Sequence, residues 1–372
     1  DRDRFRGGEP LAPRFSDALS SLRGFVRSGL RSSVVLSAGM NRRLFGHMAE
    51  FSDFYPDERG ELRKRITLKV SDYRSALVQG KLLARLGLWV SEYRVESGLN
   101  CGGHAFGGRG RLLGPILDEF RRERERFVEG LRDVRQRALA ALGRSAGADA
   151  EPVRITVQGG IGTAEEDRML REEYGVDGTG WASPFLLVPE VVNIDEAHLR
   201  RLSAAGEEDI VLSEASPLGV PFWILRDSES EIGRREAVAR GRPGSSCPKG
   251  FLVSNTEFTT VPICTASRAY QRRKLRQIAA SDLQESKTAD LRRGVEAKAC
   301  LCRDLAGSAT VPCGIEPATR TAVCCGPNLA YFSRVATLRE MTDHIYGRAR
   351  LPVQENRPHV FLKELALHLD RL

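Results

Sequence analysis

Short apolar runs and longer amphipathic stretches alternate along this chain from Ser33 onward. Ser33-Val34-Val35-Leu36-Ser37 is β-branched and closes on Ala38-Gly39, the outline of a buried parallel strand. Arg65-Ile66-Thr67-Leu68-Lys69-Val70-Ser71 predicts a second strand. Ser71-Asp72 can then cap a helix whose Ala76, Leu77, Gly80, Leu83 and Ala84 share one face, with Gly87 as its stop. Residues 88–95 read as a third strand, followed by a helix carrying Leu112, Leu113, Ile116, Leu117 and Phe120. That helix continues through a charged, solvated stretch at 121–126 to Leu142, and residues 143–149 form a loop. A fourth strand spans 153–157, and Thr163 with Glu166 predicts a capping box for a helix that Gly175 ends. Residues 176–183 make a short fifth strand.

Strands alternating with helices at this spacing predict an α/β fold, a parallel (β/α)8 TIM-type barrel rather than a sandwich. Only about five βα units are visible, ahead of a smaller Cys-rich region that is helical or irregular. The expected organisation is an N-terminal helical segment or remnant over 1–31, a barrel portion over 32–228 and a Cys-rich region over 229–372.

Composition bounds the reading. At 372 residues, with 41% hydrophobic and 28% charged residues, the chain has material for one large domain and a smaller one. No segment reaches the roughly 18 consecutive apolar residues of a membrane helix, and a secretory core is missing, so a soluble cytoplasmic protein without a membrane partner is expected. The net charge of +8 is dispersed as arginine, which reads first as a solvated surface and second as an anion or nucleic-acid footprint. The chain opens on Asp1 in a run unlike a folded start, and a fragment is expected.

The candidate chemistry begins at Asn100-Cys101-Gly102-Gly103-His104, which follows the third strand and opens a glycine-rich loop. In parallel-sheet proteins ligands sit beyond the carboxyl ends of the strands, and adjacent glycines let the backbone approach a flat or phosphorylated ligand. A second signal, Gly159-Gly160-Ile161-Gly162, ends the fourth strand, and Ala182-Ser183 ends the fifth. Two such loops in consecutive units point to a phosphate held by backbone N–H groups and a helix N-terminus.

The order of Gly-Gly-His, Leu112-Leu113-Gly114-Pro115, Gly159-Gly160-Ile161 and Gly175-Val176-Asp177-Gly178 through Ser183-Pro184-Phe185 resembles the nitronate monooxygenase (2-nitropropane dioxygenase-like) family, which includes FMN-dependent enoyl reductases. Residues 209–215 and 219–226 look like that family's closing segment, so the resemblance covers about 32–227. It implies an FMN-binding barrel with His104 beside the flavin, Gly102 and Gly103 in the cofactor loop, and Gly159, Gly160, Ala182 and Ser183 around the phosphate. Lys69 falls where the family carries a polar residue under the isoalloxazine, or is an ordinary strand-end lysine. Asn100 and Cys101 replace the family's acidic and small residues, Ala182 replaces a glycine, and the family's first three strands have no counterpart ahead of Ser32.

The resemblance implies oxidation of a small nitronate-like substrate with flavin and dioxygen, His104 acting as base or holding the nitro group. Its enoyl-reductase branch implies NAD(P)H-driven reduction of an unsaturated thioester, with NAD(P)H or a ferredoxin as donor. The other class of reading is a non-catalytic metal-binding or RNA-associated protein on a degenerate barrel. A small-molecule substrate is the expected partner, nucleic acid is not, and an oligomer is compatible with the sequence.

Beyond Asp227 the character changes. All eight cysteines except Cys101 fall between Cys247 and Cys325. Cys247-Pro248 and Cys300-Leu301-Cys302 are spacings that aim sulfurs at one centre, and Cys247, Cys264, Cys300 and Cys302 are the first candidates for metal ligands, with Cys313, Cys324 and Cys325 as alternates. An iron-sulfur cluster, a structural zinc and unligated thiols remain open. Arg272-Arg273-Lys274-Leu275-Arg276 reads as a solvated helix face, and residues 361–368 as an amphipathic segment that packs on the body or a neighbouring subunit.

Overall fold

Alternation along three central strands sets up the sheet. The computed structural model describes residues 3–100, 111–144, 152–247 and 249–370. Five strands, β1 (Ser32–Leu36), β2 (Lys64–Val70), β3 (Val90–Glu96), β4 (Arg154–Gln158) and β5 (Gly178–Gly180), pair in chain order, all parallel. Consecutive parallel strands joined by helices are the winding of the expected α/β class and of a (β/α)8-type arc. Among the described residues no strand pairs β5 back to β1.

The chain forms two compact units. The first holds this sheet and comprises Asp1–Ser97, Gly110–Gln158 and Arg168–Gly180. Leu68, Val70, Tyr93, Val95, Ile155 and Val157 fall on one face and are buried. The helix Tyr73–Arg85 starts where the Asp72 carboxylate accepts from Ser75 N at 2.6 Å, and the chain leaves it through Gly87 at φ +77°. Its buried positions are Ala76, Gln79, Gly80, Leu83 and Ala84; Leu77 is only half-buried. Gln79 enters in its place because its amide donates to Ala38 O at 3.0 Å and so satisfies a backbone acceptor. The long helix Leu113–Ala141 buries Phe120, Phe127 and Leu131, and Phe127 meets Tyr93 edge to face at 4.9 Å.

Two expectations change here. β1 is an edge strand with Leu36 its only buried residue, because β2 is its one neighbour and Ser33 and Val35 face outward. The fifth strand shrinks to Gly178–Gly180, since Ser183-Pro184 opens a 3-10 helix over Ser183–Leu187 and proline cannot donate to a ladder.

The second unit comprises Gly98–Arg109, Gly159–Asp167 and Trp181–Leu372, so the boundary read at 228/229 falls inside it. The segments read as a closing element pair antiparallel, as β6 (Ile210–Ser213) and β7 (Phe222–Leu225). Trp223 and Leu225 join Leu202, Leu329, Phe332 and Met341 in its main apolar cluster. No helix among the described residues is long and apolar enough to cross a membrane.

Candidate functional site

The other face of the three central strands, β2 to β4, is polar. Register places Thr67 beside Glu92, Lys69 beside Arg94, Arg94 beside Thr156 and Glu96 beside Gln158. Between Ile66 and Thr67 the register with β3 slips, and this bulge turns Glu92, Arg94 and Glu96 onto the face that carries Lys69.

At the carboxyl ends of β2, β3 and β4 three of these side chains meet. Lys69 Nζ lies 3.1 Å from Glu96 Oε1, and Gln158 Nε2 donates to the same oxygen at 2.7 Å. The Glu96 side chain is 3% exposed and Lys69 is 27% exposed, so the carboxylate is a buried anchor and the ammonium is its open end. A buried carboxylate is tolerable only with such charge-assisted partners. A Cβ on Gly180 would stand 2.9 Å from Gln158 Cβ, so glycine is what lets β5 lie against Gln158.

One row deeper, Glu92 accepts from Thr156 Oγ1 at 2.6 Å and from Arg94 Nε at 2.9 Å. Burial pushes its carboxyl upward, but the bonds from Thr156 and Arg94 outweigh it and hold the group below the usual carboxylate range.

In the second unit the turn at Gly159 (φ +107°) and Gly160 (φ +82°) has the left-handed backbone that glycine permits. The carbonyls of Gly160, Ile161 and Gly162 are taken by protein. Arg357 Nη2 donates to Gly160 O at 2.8 Å, Asn328 Nδ2 to Ile161 O at 2.9 Å, and His344 Nε2 lies 2.9 Å from Gly162 O. A Cβ on Gly160 would come within 2.7 Å of Leu99 Cδ1.

The predicted capping box is half formed. Thr163 Oγ1 accepts from Glu166 N at 3.2 Å, but the Glu166 carboxylate accepts from Gly162 N at 2.9 Å, from Val360 N at 2.7 Å and from both Arg357 terminal nitrogens at 2.8 Å. Arg357 and Val360 draw the carboxylate into the interior. The anion favoured at the N-terminus of the helix Ala164–Tyr174 is therefore Glu166 itself, and Gly162 N–H does not fit a phosphate as well.

Ala182 O accepts from Phe185 N at 3.0 Å, and Ser183 is buried at the start of its 3-10 helix. Beside them, Trp181 meets His344 edge to face at 6.1 Å. His344 thus touches Gly162 of the first predicted phosphate loop and Trp181, the residue before the second. Its Nδ1 accepts from Leu351 N at 3.2 Å, which leaves the proton on Nε2 for Gly162 O and defines a neutral tautomer. His104, Gly102 and Gly103 lie outside the described residues.

The four first-choice cysteines fall into two hydrogen-bonded pairs. Cys247 hydrogen-bonds Cys264, Cys300 hydrogen-bonds Cys302, and Cys247 acts electrostatically on all three others. The bonds with Cys302 and then Ser245 lower the Cys300 thiol to about 7, whereas Cys264 and Cys302 are pushed up by their thiol partners and by burial. Of the alternates, Cys313 is exposed, Cys325 lies in the main apolar cluster and Cys324 packs on a second one. None of the described cysteines is in a disulfide. No group of three or more His, Cys, Asp or Glu side chains among the described residues forms a ready coordination sphere.

Sequence reasoning missed Glu96, Arg357 and His344. Glu96 carried a signal, as an acidic residue at the end of the strand that follows the one carrying Lys69; the other two bond residues 191 and 182 positions away.

Fold and site define a mixed α/β protein whose parallel sheet carries a charged face ending in Lys69, Glu96 and Gln158. No protein-family model and no curated protein matches the chain. Among solved structures it is similar to the enoyl reductase domain of MlnA from the macrolactin biosynthesis cluster of Bacillus amyloliquefaciens, at 14% identity over 98% of this chain and 82% of that one, with a TM-score of 0.45. It is also similar to a FabK variant from Thermotoga maritima, at 12% identity over 91% of this chain and 71% of that one, with a TM-score of 0.41. Neither likeness assigns a substrate or cofactor to this chain.

Proposed function

We propose that this chain is a flavin-dependent oxidoreductase whose ring-binding groups are Lys69, Glu96 and Gln158. The observation that carries the reading is the Glu96 carboxylate gripping Lys69 at 3.1 Å and Gln158 at 2.7 Å at the carboxyl edge of a parallel sheet. A flavin's pyrimidine edge offers acceptors at N1, O2 and O4 and a donor at N3. Lys69 and Gln158 bring donors to such an edge, and the buried Glu96 fixes the ammonium. When bound, FMN supplies two-electron transfer between a substrate and dioxygen or NAD(P)H.

Lys69 stabilises negative charge where it develops on the ring, and Glu96 keeps the ammonium oriented without a reorganisation cost. His104 is the proton-transfer group the family resemblance assigns, and a nitronate-like anion is the substrate class it implies. The same resemblance assigns the phosphate to Gly159, Gly160, Ala182 and Ser183, an assignment that the Glu166 carboxylate at that turn opposes.

The reading is tested by titrating the protein with FMN and with riboflavin, then measuring oxygen uptake with a nitronate and NAD(P)H oxidation with an enoyl thioester. FMN binding with turnover in either assay supports the oxidoreductase, and the active assay names the substrate class. Equal affinity for FMN and riboflavin removes the phosphate assignment, and failure to bind either overturns the proposal.

A further inference from the structure

The run Arg272-Arg273-Lys274-Leu275-Arg276 lies in the helix Arg268–Ala279, and its charges are divided between two sides of that helix. On one side the cations are used by protein: Lys274 Nζ lies 2.7 Å from Glu257 Oε1, and Arg273 Nη1 donates to Phe258 O at 3.1 Å. On the other, Arg268, Arg272 and Arg276 recur every four residues and so stand in one row. Like charges at that spacing repel one another. The first turn of the helix, where Arg268 sits, holds no acidic residue to offset its positive end.

That row lines a cavity of about 480 Å³ beside the helix Glu285–Glu296, which packs against it. Arg242, from the turn after the helix Glu229–Ala239, and Arg292 complete a lining of five guanidinium groups. Among the described residues no Asp, Glu or aromatic side chain lines this cavity. Arg292 Nε is 3.0 Å from Glu296 Oε1, and Arg268 Nη2 donates to Gly244 O at 3.3 Å. Among the described residues the side chains of Arg242, Arg272 and Arg276 have no hydrogen bond or ion pair. The turn that carries Arg242 is held against the start of the helix by Gly244 at φ +81°, where a Cβ would stand 2.8 Å from the Arg268 backbone. Leu275 and Ile278 give the cavity an aliphatic floor.

We propose that this cavity binds a small molecule through a diphosphate group. Guanidinium forks meet phosphate oxygens in pairs, and a wall on which Arg292 alone has a carboxylate partner suits a group of about three negative charges better than a single carboxylate. The volume is that of a small-molecule site, and the aliphatic floor covers the uncharged part of the ligand. Single-stranded nucleic acid is the poorer fit, because it is gripped by stacking on aromatic rings as well as by charge. The site is independent of the flavin reading: none of Lys69, Glu96 or Gln158 lines it, and its test uses no flavin.

The test is isothermal titration calorimetry of the full chain with inorganic pyrophosphate, ADP and orthophosphate, in about 0.15 M salt so that diffuse attraction is screened. Saturable binding of about one pyrophosphate or ADP per chain is expected, with orthophosphate weaker by at least about tenfold. Tighter binding of ADP than of pyrophosphate would place the ligand among nucleoside diphosphates, and equal affinity would make the diphosphate alone the recognised group; either supports the site. Arg272→Gln and Arg276→Gln, both at exposed side chains, should each weaken binding about 10- to 150-fold. Arg273→Gln removes the same charge from the other side of the helix and should change affinity by less than about twofold. No saturable binding, orthophosphate binding as tightly as pyrophosphate, an equal loss for Arg273→Gln, or binding of a polynucleotide but of neither diphosphate would each overturn the proposal.

Discussion

Arg357→Ala tests how the glycine turn of the second unit is held. Arg357 and Glu166 have side chains 6% and 4% exposed, and the guanidinium makes two bonds of 2.8 Å to the carboxylate. Its other bonds go to Asn328 Oδ1 at 2.9 Å and Gly160 O at 2.8 Å. Removing one partner of a buried pair costs about 3–5 kcal/mol, because the remaining charge is left uncompensated. Glu166 keeps the N–H groups of Gly162 and Val360, which places this variant at the low end, about 3 kcal/mol. Arg357→Lys keeps a charge but loses the fork, and should cost about 1–2 kcal/mol. The assay is urea unfolding followed by tryptophan fluorescence, with Trp181 and Trp223 reporting on this unit. A double-mutant cycle with Glu166→Gln should return a coupling of about 1.5–3 kcal/mol. A loss below about 1 kcal/mol for Arg357→Ala, or strict additivity in the cycle, would refute a turn organised by this pair.

Gly80→Ala should destabilise the first unit by about 1–2 kcal/mol in urea unfolding, because the new Cβ meets the buried Tyr93 hydroxyl, whose ring is packed on Phe127. Gly130→Ala, on the helix Leu113–Ala141 with nothing within 4 Å of the new Cβ, should stabilise by up to about 1 kcal/mol; the same sign for both changes would contradict the packing described. The Glu340 carboxyl is lowered from its ordinary 4.5 to about 2 by Arg334 and by the Thr337 N–H and hydroxyl. Its contribution to stability is therefore present above pH 4.5 and lost as pH falls from 4.5 through about 2. An NMR-detected titration midpoint at 4 or above would exclude that cap.

Much of the fold is legible because it rests on local periodicity. The alternation in 65–71 and 88–95 and the caps at Asp72 and Gly87 identify strands and helix in their observed order. β1 misleads because an edge strand and a buried strand share a β-branched run, and only the neighbour count separates them. The turn at Gly159-Gly160 is not legible: its glycines read the same whether backbone N–H groups face a ligand or an internal carboxylate. Glu166 and Arg357 are 191 positions apart, and His344 lies 182 from Gly162, distances over which no periodicity speaks.

The central claim is that Lys69, held by Glu96, grips a flavin ring. FMN titration of wild type and Lys69→Met, followed by quenching of flavin fluorescence with far-UV circular dichroism as a check on folding, tests it most directly. A charge-assisted hydrogen bond contributes about 1.5–3 kcal/mol, so the variant should bind FMN about 10- to 150-fold more weakly while its secondary structure is unchanged. Equal FMN affinity in a folded Lys69→Met protein, or no binding by the wild type, would contradict the account.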